Sequence, residues 1–225
     1  GIGAIRPGEG FVSLGTSGVL FVSNDRFRPN TAGAVHAFCH AIPDTWHQMG
    51  VTLSATDSLN WLGRITGQDP AALAGAAEAG YRGPGEELFL PYLSGERTPH
   101  NNAGARGSFT GLSQSSSPAL LAQAVMEGVA FAFRDCQRVL ADAGTGIGRL
   151  LAVGGGSKSE LWLRLLATNL GTEIALPEDG DFGGALGVAR LALCAAEGAD
   201  PGAVMTMPAI SRVIAPDPAL ANAYS

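Results

Sequence analysis

Gly15-Thr16-Ser17-Gly18 interrupts an apolar run, VSLGTSGVLF at 12–21, with two hydroxyls between two glycines. The apolar β-formers on either side read as two antiparallel strands joined by a tight polar turn. An ordinary hairpin needs only Asn-Gly or Asp-Gly there. Gly-Thr-Ser-Gly adds closely spaced backbone N–H groups and two hydroxyl donors, which is the equipment for holding phosphate oxygens. On these residues alone a plain polar turn remains the competing reading.

A second group is Gly154-Gly155-Gly156 within LLAVGGGSKSELWLRLLA, residues 150–167. An apolar strand runs into three glycines, and Ser157 with Glu160 stands at capping-box spacing for the helix that follows. Backbone free of side chains at a helix N-terminus admits a flat ring or a phosphate; the alternative is a tight strand-to-helix turn. It is not a Walker loop, because the only lysine, Lys158, follows Ser157, and no G-x-G-x-x-G occurs that would make a Rossmann fingerprint. Gly183, Gly184, Ala185 and Gly187 in DFGGALGVARLAL (181–193) put small residues in the first turns of a helix. They suit close packing against another backbone, or else an inter-domain hinge or a nucleotide wall.

Other polar residues carry less. His36, Cys39, His40 and His47 match no zinc spacing and read as core or edge residues. Arg97 and His100 either reach a sugar, a phosphate or a second domain, or are solvated. Glu127 reads as a capping or inter-domain partner, and Trp46, Trp61 and Trp162 as packing residues.

The elements that must position these groups follow from periodicity. Strands are expected over 10–22, about 34–42 and about 46–53, then helices near 54–66 and 70–80. A Gly/Pro/Glu loop at 81–87 leads to an extended apolar segment at 88–93 and a long polar connection at 94–106. Ser117 as N-cap with Pro118 at the first helical position opens the longest helix, its stripe running through Leu121, Val125, Val129, Ala132, Cys136 and Val139 and closing at Gly144. A strand at 149–153, a helix over 158–170, a strand at 173–176 and a helix over 182–197 make the second half βαβα. Residues 198–225, with little periodicity, read as a trailing segment.

At 225 residues, 46% hydrophobic and 15% charged, the chain can bury a large core as one big domain or two small ones. A net charge of -6, with the 14 basic residues scattered, leaves no basic stripe for nucleic acid. No run approaches a membrane span. Cys39, Cys136 and Cys194, an odd number among apolar neighbours, predict buried reduced thiols in a cytoplasmic protein. The opening GIGAIRPGEG, with neither initiator Met nor signal pattern, predicts a chain that starts within a longer protein.

Together, SLGTSG (13–18), FLPYLSGERTPHNN (89–102), ARGSFTGLSQSSSPALLAQAVMEGVAFAF (105–133), VGGGSKSELW (153–162) and FGGALGVAR (182–190) resemble the C-terminal domain of the FGGY carbohydrate kinases. The likeness spans residues 10 to about 195, and PYLSGERTPHNN is similar to the xylulose-phosphorylating branch rather than to the glycerol kinases. Leu120 departs from the family's second signature, which expects a polar or acidic residue there.

The resemblance implies an α/β, actin-like (ribonuclease-H-like) ATPase domain, a mixed sheet flanked by helices. Residues 1–200 would be the C-terminal nucleotide-binding domain and 201–225 the trailing segment, with the N-terminal sugar-binding domain absent. It implies that Gly15, Thr16 and Ser17 form the second phosphate loop, that Gly154, Gly155, Gly156 and Ser157 border the adenosine, and that the helix from Gly183 is a connecting segment. ATP and Mg²⁺ are the implied cofactors and a ketose, D-xylulose, the implied substrate. The alternatives are another ketose or polyol, or a non-catalytic actin-like binding module. The family's catalytic Asp lies in a motif that precedes Gly1, and none of Asp25, Asp44 or Asp57 matches it, so no catalytic residue and no metal ligand is nominated and the fragment alone is expected to be inactive. The expected partners are the sugar and the missing N-terminal domain, with no nucleic acid and no membrane, and a homodimer is the one assembly considered.

Overall fold

The computed structural model describes residues 2–178 and 183–224. The polar turn at 15–17 does join a hairpin: β1 (Gly10–Leu14) and β2 (Gly18–Asn24) pair antiparallel with Leu14 opposite Gly18. β2 pairs antiparallel with β4 (Trp46–Thr52), whose outer edge takes β3 (His36–Cys39). On its other side β1 runs parallel to β7 (Leu150–Val153), and β7 parallel to β8 (Ile174–Pro177). β9 (Ile210–Ile214) closes the sheet antiparallel to β8, giving the order β3-β4-β2-β1-β7-β8-β9. β5 (Leu88–Leu90) and β6 (Ser108–Thr110) form a separate two-stranded ribbon.

Strand alternation sets which side is core. Val12, Leu14, Leu20 and Val22 are wholly buried against the helices α1 (Thr56–Thr66), α3 (Pro118–Asp142) and α4 (Glu160–Leu170), while Phe11 and Phe21 stack on the opposite face at 4.8 Å. α2 (Pro70–Gly80) lies against α1 and α3. α3 is the central helix: Ser117 Oγ accepts from Leu120 N–H, Pro118 occupies the first turn, and Phe133, Met126 and Leu140 are fully buried. It seats close to the sheet because Gly50 lies beneath it, where a Cβ would stand 2.5 Å from the Cβ of Cys136. α5 (Gly183–Glu197) lies toward the Phe11/Phe21 face, with a cavity of about 310 Å³ between, bordered by Gly187, Leu191, His40 and His47. Asp181 and Phe182, which precede α5 in its sequence motif, lie outside the described residues.

Three expectations change. The trailing segment contains α6 (Pro201–Val204), the edge strand β9 and α7 (Pro218–Ala223). Of β9 only Ile214 is buried, so an edge strand with one covered face leaves almost no period in the sequence. The capping box at Ser157 is absent: a 3-10 turn fills Gly155–Lys158, Ser157 Oγ donates to Gly154 O at 2.7 Å, and it is Ser159 that caps α4 by accepting from Trp162 N–H. Of the three cysteines only Cys136 is buried, whereas Cys39 is exposed because β3 is an edge strand. No helix among the described residues is long and apolar enough to cross a membrane.

Candidate functional site

The phosphate-type turn is held by its carbonyls. Ala55 N–H and Asp57 N–H donate to Thr16 O at 2.9 and 3.3 Å, and Thr56 donates to Gly15 O from its N–H at 2.9 Å and from Oγ1 at 2.7 Å. These carbonyls satisfy the first donors of α1, whose N-cap, Ala55, has no side chain to do so. In a trans peptide the N–H points opposite to the preceding carbonyl, so the N–H groups of Thr16 and Ser17 face away from α1. Both residues are exposed, and no acceptor among the described residues takes their N–H or hydroxyl groups. Four donors on adjacent residues are thus left for an oxyanion.

The glycine triad sits across the strand end from that turn. Gly154 has φ 90°, and a Cβ there would meet Leu14 O at 2.6 Å, so only glycine lets β7 end against β1. Gly156 is equally confined, with Leu14 Cβ at 2.8 Å and Thr56 Cγ2 at 3.0 Å from a Cβ, whereas Gly155 would meet nothing within 4 Å. Thr56 therefore touches the triad with its methyl and the phosphate turn with its hydroxyl.

Between these elements and α2 lies a pocket of about 480 Å³, within the range of small-molecule and cofactor sites. Gly155, Gly156 and Trp162 line one side, Thr56 and Asn60 of α1 another, and Ala71 and Ala74 of α2 the third. Gly154 and Ser157 do not border it; they border a neighbouring hollow with Glu178 and Arg212, and their bond to one another shapes the turn. The structure so brings Gly15 and Gly156 together on Thr56 with Gly155 on the same pocket, packs Gly154 against Leu14 and Gly15, and turns Ser157 to the neighbouring hollow. The α2 wall was not expected at the site. Its signal is the run of alanines in PAALAGAAEAG, whose small side chains leave room that a leucine face would fill.

Other residues singled out by type have internal partners. Glu127, 1% exposed, accepts from Tyr224 OH at 2.6 Å, Gln123 Nε2 at 2.9 Å and Gly85 N–H at 3.3 Å; burial raises its carboxyl above the usual range, and it ties α3 to α7 and to the loop before β5. Trp162 is buried and donates from Nε1 to Met126 O at 3.0 Å, and Trp61 stacks on Phe89 and Phe109 of the ribbon. Arg97 Nε bonds His36 Nε2 at 3.1 Å and His100 Nε2 bonds Tyr92 OH at 2.9 Å; neither residue borders the pocket. His40 and His47 have their pKa values lowered by burial beside the cavity under α5. Among the described residues no three His, Cys, Asp or Glu side chains cluster so as to hold a metal ion.

Known proteins are similar to this chain in sequence and in fold. The chain is 44% identical over 197 residues to the xylulose kinase of Escherichia coli, covering 87% of this chain and 41% of that one. It is 42% identical over 211 residues to the xylulose kinase of Klebsiella pneumoniae, covering 92% and 44%. A crystal structure of a "xyloylose kinase" from Brucella ovis superposes with a TM-score of 0.96 at 55% identity, over 99% of this chain and 46% of that one. The chain thus spans less than half the length of these relatives. The mixed sheet flanked by helices is that of the actin-like ATPases. Residues 10–196 match the C-terminal domain of the FGGY family of carbohydrate kinases, and the chain belongs to that family.

Proposed function

We propose that the chain is the nucleotide-binding half of an ATP-dependent sugar kinase that phosphorylates D-xylulose. The observation that carries this reading is the pair of features joined by Thr56: a turn with free donors at Thr16 and Ser17, and a nucleoside-sized pocket bounded by Gly155 and Gly156. The relatives named xylulose kinase support the choice of sugar.

On this reading Ala71, Ala74 and Gly155 enclose the adenosine, and the N–H and hydroxyl groups of Thr16 and Ser17 hold the phosphates. ATP bound there supplies the γ-phosphoryl group, transferred in line to a sugar hydroxyl. Phosphoryl transfer needs positioning and preorganised donors more than covalent chemistry, and a turn whose carbonyls are already tied to α1 has its donors fixed in advance. Mg²⁺ is expected with ATP, but the described residues offer it no clustered ligand set, so no step is assigned to it on this chain.

The proton acceptor and most of the sugar site belong, on the same reading, to an N-terminal domain of the longer protein. α5 suits a contact with that domain. Leu186, Val188, Leu191 and Leu193 are 38%, 69%, 40% and 42% exposed, and clustered exposed apolar side chains of this kind mark a surface made to be covered.

The test is ATP consumption by the full-length protein with D-xylulose and with a panel of ketoses and polyols. D-Xylulose-dependent turnover is expected, and Thr16→Ala is expected to lower it by about tenfold or more through the lost donor. Turnover with a different sugar would reassign the substrate. No turnover with any sugar would leave a non-catalytic nucleotide-binding module.

A further inference from the structure

The loop over 94–106, PYLSGERTPHNN in part, does not border the nucleotide pocket, yet it makes contacts that lead to the phosphate turn. β3 stops pairing at His36, opposite Met49, because the chain turns away at Ala34, where φ is 52°. β4 continues to Thr52, so its last residues have no strand on that edge. Backbone groups left this way need other partners. Thr98 N–H donates to Val51 O at 3.0 Å, Val51 N–H donates to Thr98 Oγ1 at 3.1 Å, and Leu53 N–H donates to Glu96 Oε1 at 3.0 Å. Thr98 and Glu96 do for the end of β4 what β3 does for its beginning.

The loop is itself fixed. Glu96 exchanges two backbone hydrogen bonds with Asn102, at 2.9 and 2.8 Å. Thr98 Oγ1 donates to Ala34 O at 3.2 Å, and Cys136 Sγ–H donates to Thr98 O at 3.8 Å. Glu96 and Thr98 are 2% and 1% exposed. From Leu53 the chain passes through Ser54, whose hydroxyl meets Ser58 Oγ at 3.0 Å, straight to Ala55, Thr56 and Asp57. Those three residues supply the N–H groups that hold the carbonyls of Gly15 and Thr16. The contacts from the loop to the turn are therefore continuous.

We propose that Glu96, aided by Thr98, is a positioning residue for phosphoryl transfer: it fixes the link between β4 and α1 and, through it, the orientation of the Gly15–Ser17 donors. This rests on the phosphate role proposed above for that turn. Glu96 Oε1 also accepts from Arg97 N–H at 2.6 Å, while Oε2 is buried with no partner. One oxygen holds two backbone donors and the other meets no cation, so reach matters here and charge does not. Burial, which raises this carboxyl above its usual range, acts in the same sense.

The test uses the full-length protein with Glu96→Gln, Glu96→Asp and Glu96→Ala. Misplacing transition-state donors by a fraction of an ångström to 1 Å lowers turnover more than binding. Glu96→Ala and Glu96→Asp are expected to lower kcat by about tenfold or more, with KM for ATP and sugar within about threefold, and Glu96→Gln is expected to stay within about threefold of wild-type kcat. Amide hydrogen exchange at Ala55, Thr56 and Asp57 should quicken in the Asp and Ala variants and not in the Gln variant. Should Glu96→Ala fail to fold, the contrast between Gln and Asp decides. Wild-type kcat in Glu96→Asp, or a Gln variant as impaired as Ala with unchanged exchange, overturns the proposal; the latter would mark a charge acting directly. If the wild-type protein phosphorylates no sugar, the kinase reading fails by itself, and unchanged exchange at Ala55–Asp57 in the Asp and Ala variants overturns the coupling independently.

Discussion

Gly155 and Gly156 are neighbours of one type with different duties. Gly155 opens onto the pocket with nothing within 4 Å of an added Cβ, whereas Gly156 already touches Leu14 and Thr56. Gly155→Val should therefore weaken nucleotide binding, measured by calorimetry, with an unchanged melting temperature. Gly156→Val should lower the melting temperature first, because overpacking against a buried strand costs about 1–3 kcal/mol. Equal effects of both on affinity, with the fold intact in both, would remove the distinction. The sequence shows three consecutive glycines and a helix behind them. It does not show which of them faces a ligand, since that depends on how β7 abuts Leu14 of β1, a strand more than a hundred residues earlier in the chain.

At the scale of elements, the start of α4 separates two serines that the sequence makes look alike. Ser157 has the spacing of a capping box with Glu160, but its hydroxyl is spent on Gly154 O, and Ser159 accepts the Trp162 N–H. Ser159→Ala should cost about 1 kcal/mol of stability, read from chemical denaturation, as the loss of an N-cap does. Ser157→Ala leaves the α4 cap intact; if it proved the costlier of the two, the cap would be misassigned. The 3-10 turn that displaces the helix start arises because Gly154 must take a left-handed φ where it meets β1. Several other elements were legible, though β6, α6, β9 and α7 were not. The α3 stripe, its Ser117-Pro118 entry, the Ala-rich helix α2 and the β1–β2 hairpin all follow from local chemistry that packing reinforces.

Over the whole molecule, the half-buried imidazoles of His40 and His47 give the stability a pH dependence. His40 and His47 have folded pKa values below the ordinary 6.5, mainly through burial. Below that pH the unfolded chain binds more protons at these sites than the folded one, so their contribution is present above about pH 6.5 and lost as pH falls through the folded values. Glu96 and Glu127, raised by burial, act in the opposite sense, gaining relative stability as they protonate. The difference between proteins therefore isolates the histidines. The fall in melting temperature from about pH 7.5 to about pH 5.5 should shrink in a His40→Gln/His47→Gln double variant; an equal fall in both proteins would show that the pair does not carry it. Most of the strands and helices between Gly10 and Glu197, the polar turn, the glycine triad and the family are legible in the sequence, because each is written in residues that are neighbours in the chain. That Thr56 joins turn to triad, that α2 walls the pocket, that Glu96 completes the edge of β4 and that Ile210–Ile214 pairs with β8 emerges only in the folded chain. Those contacts join segments distant in sequence, and no local propensity or periodicity encodes which distant backbone a side chain will meet.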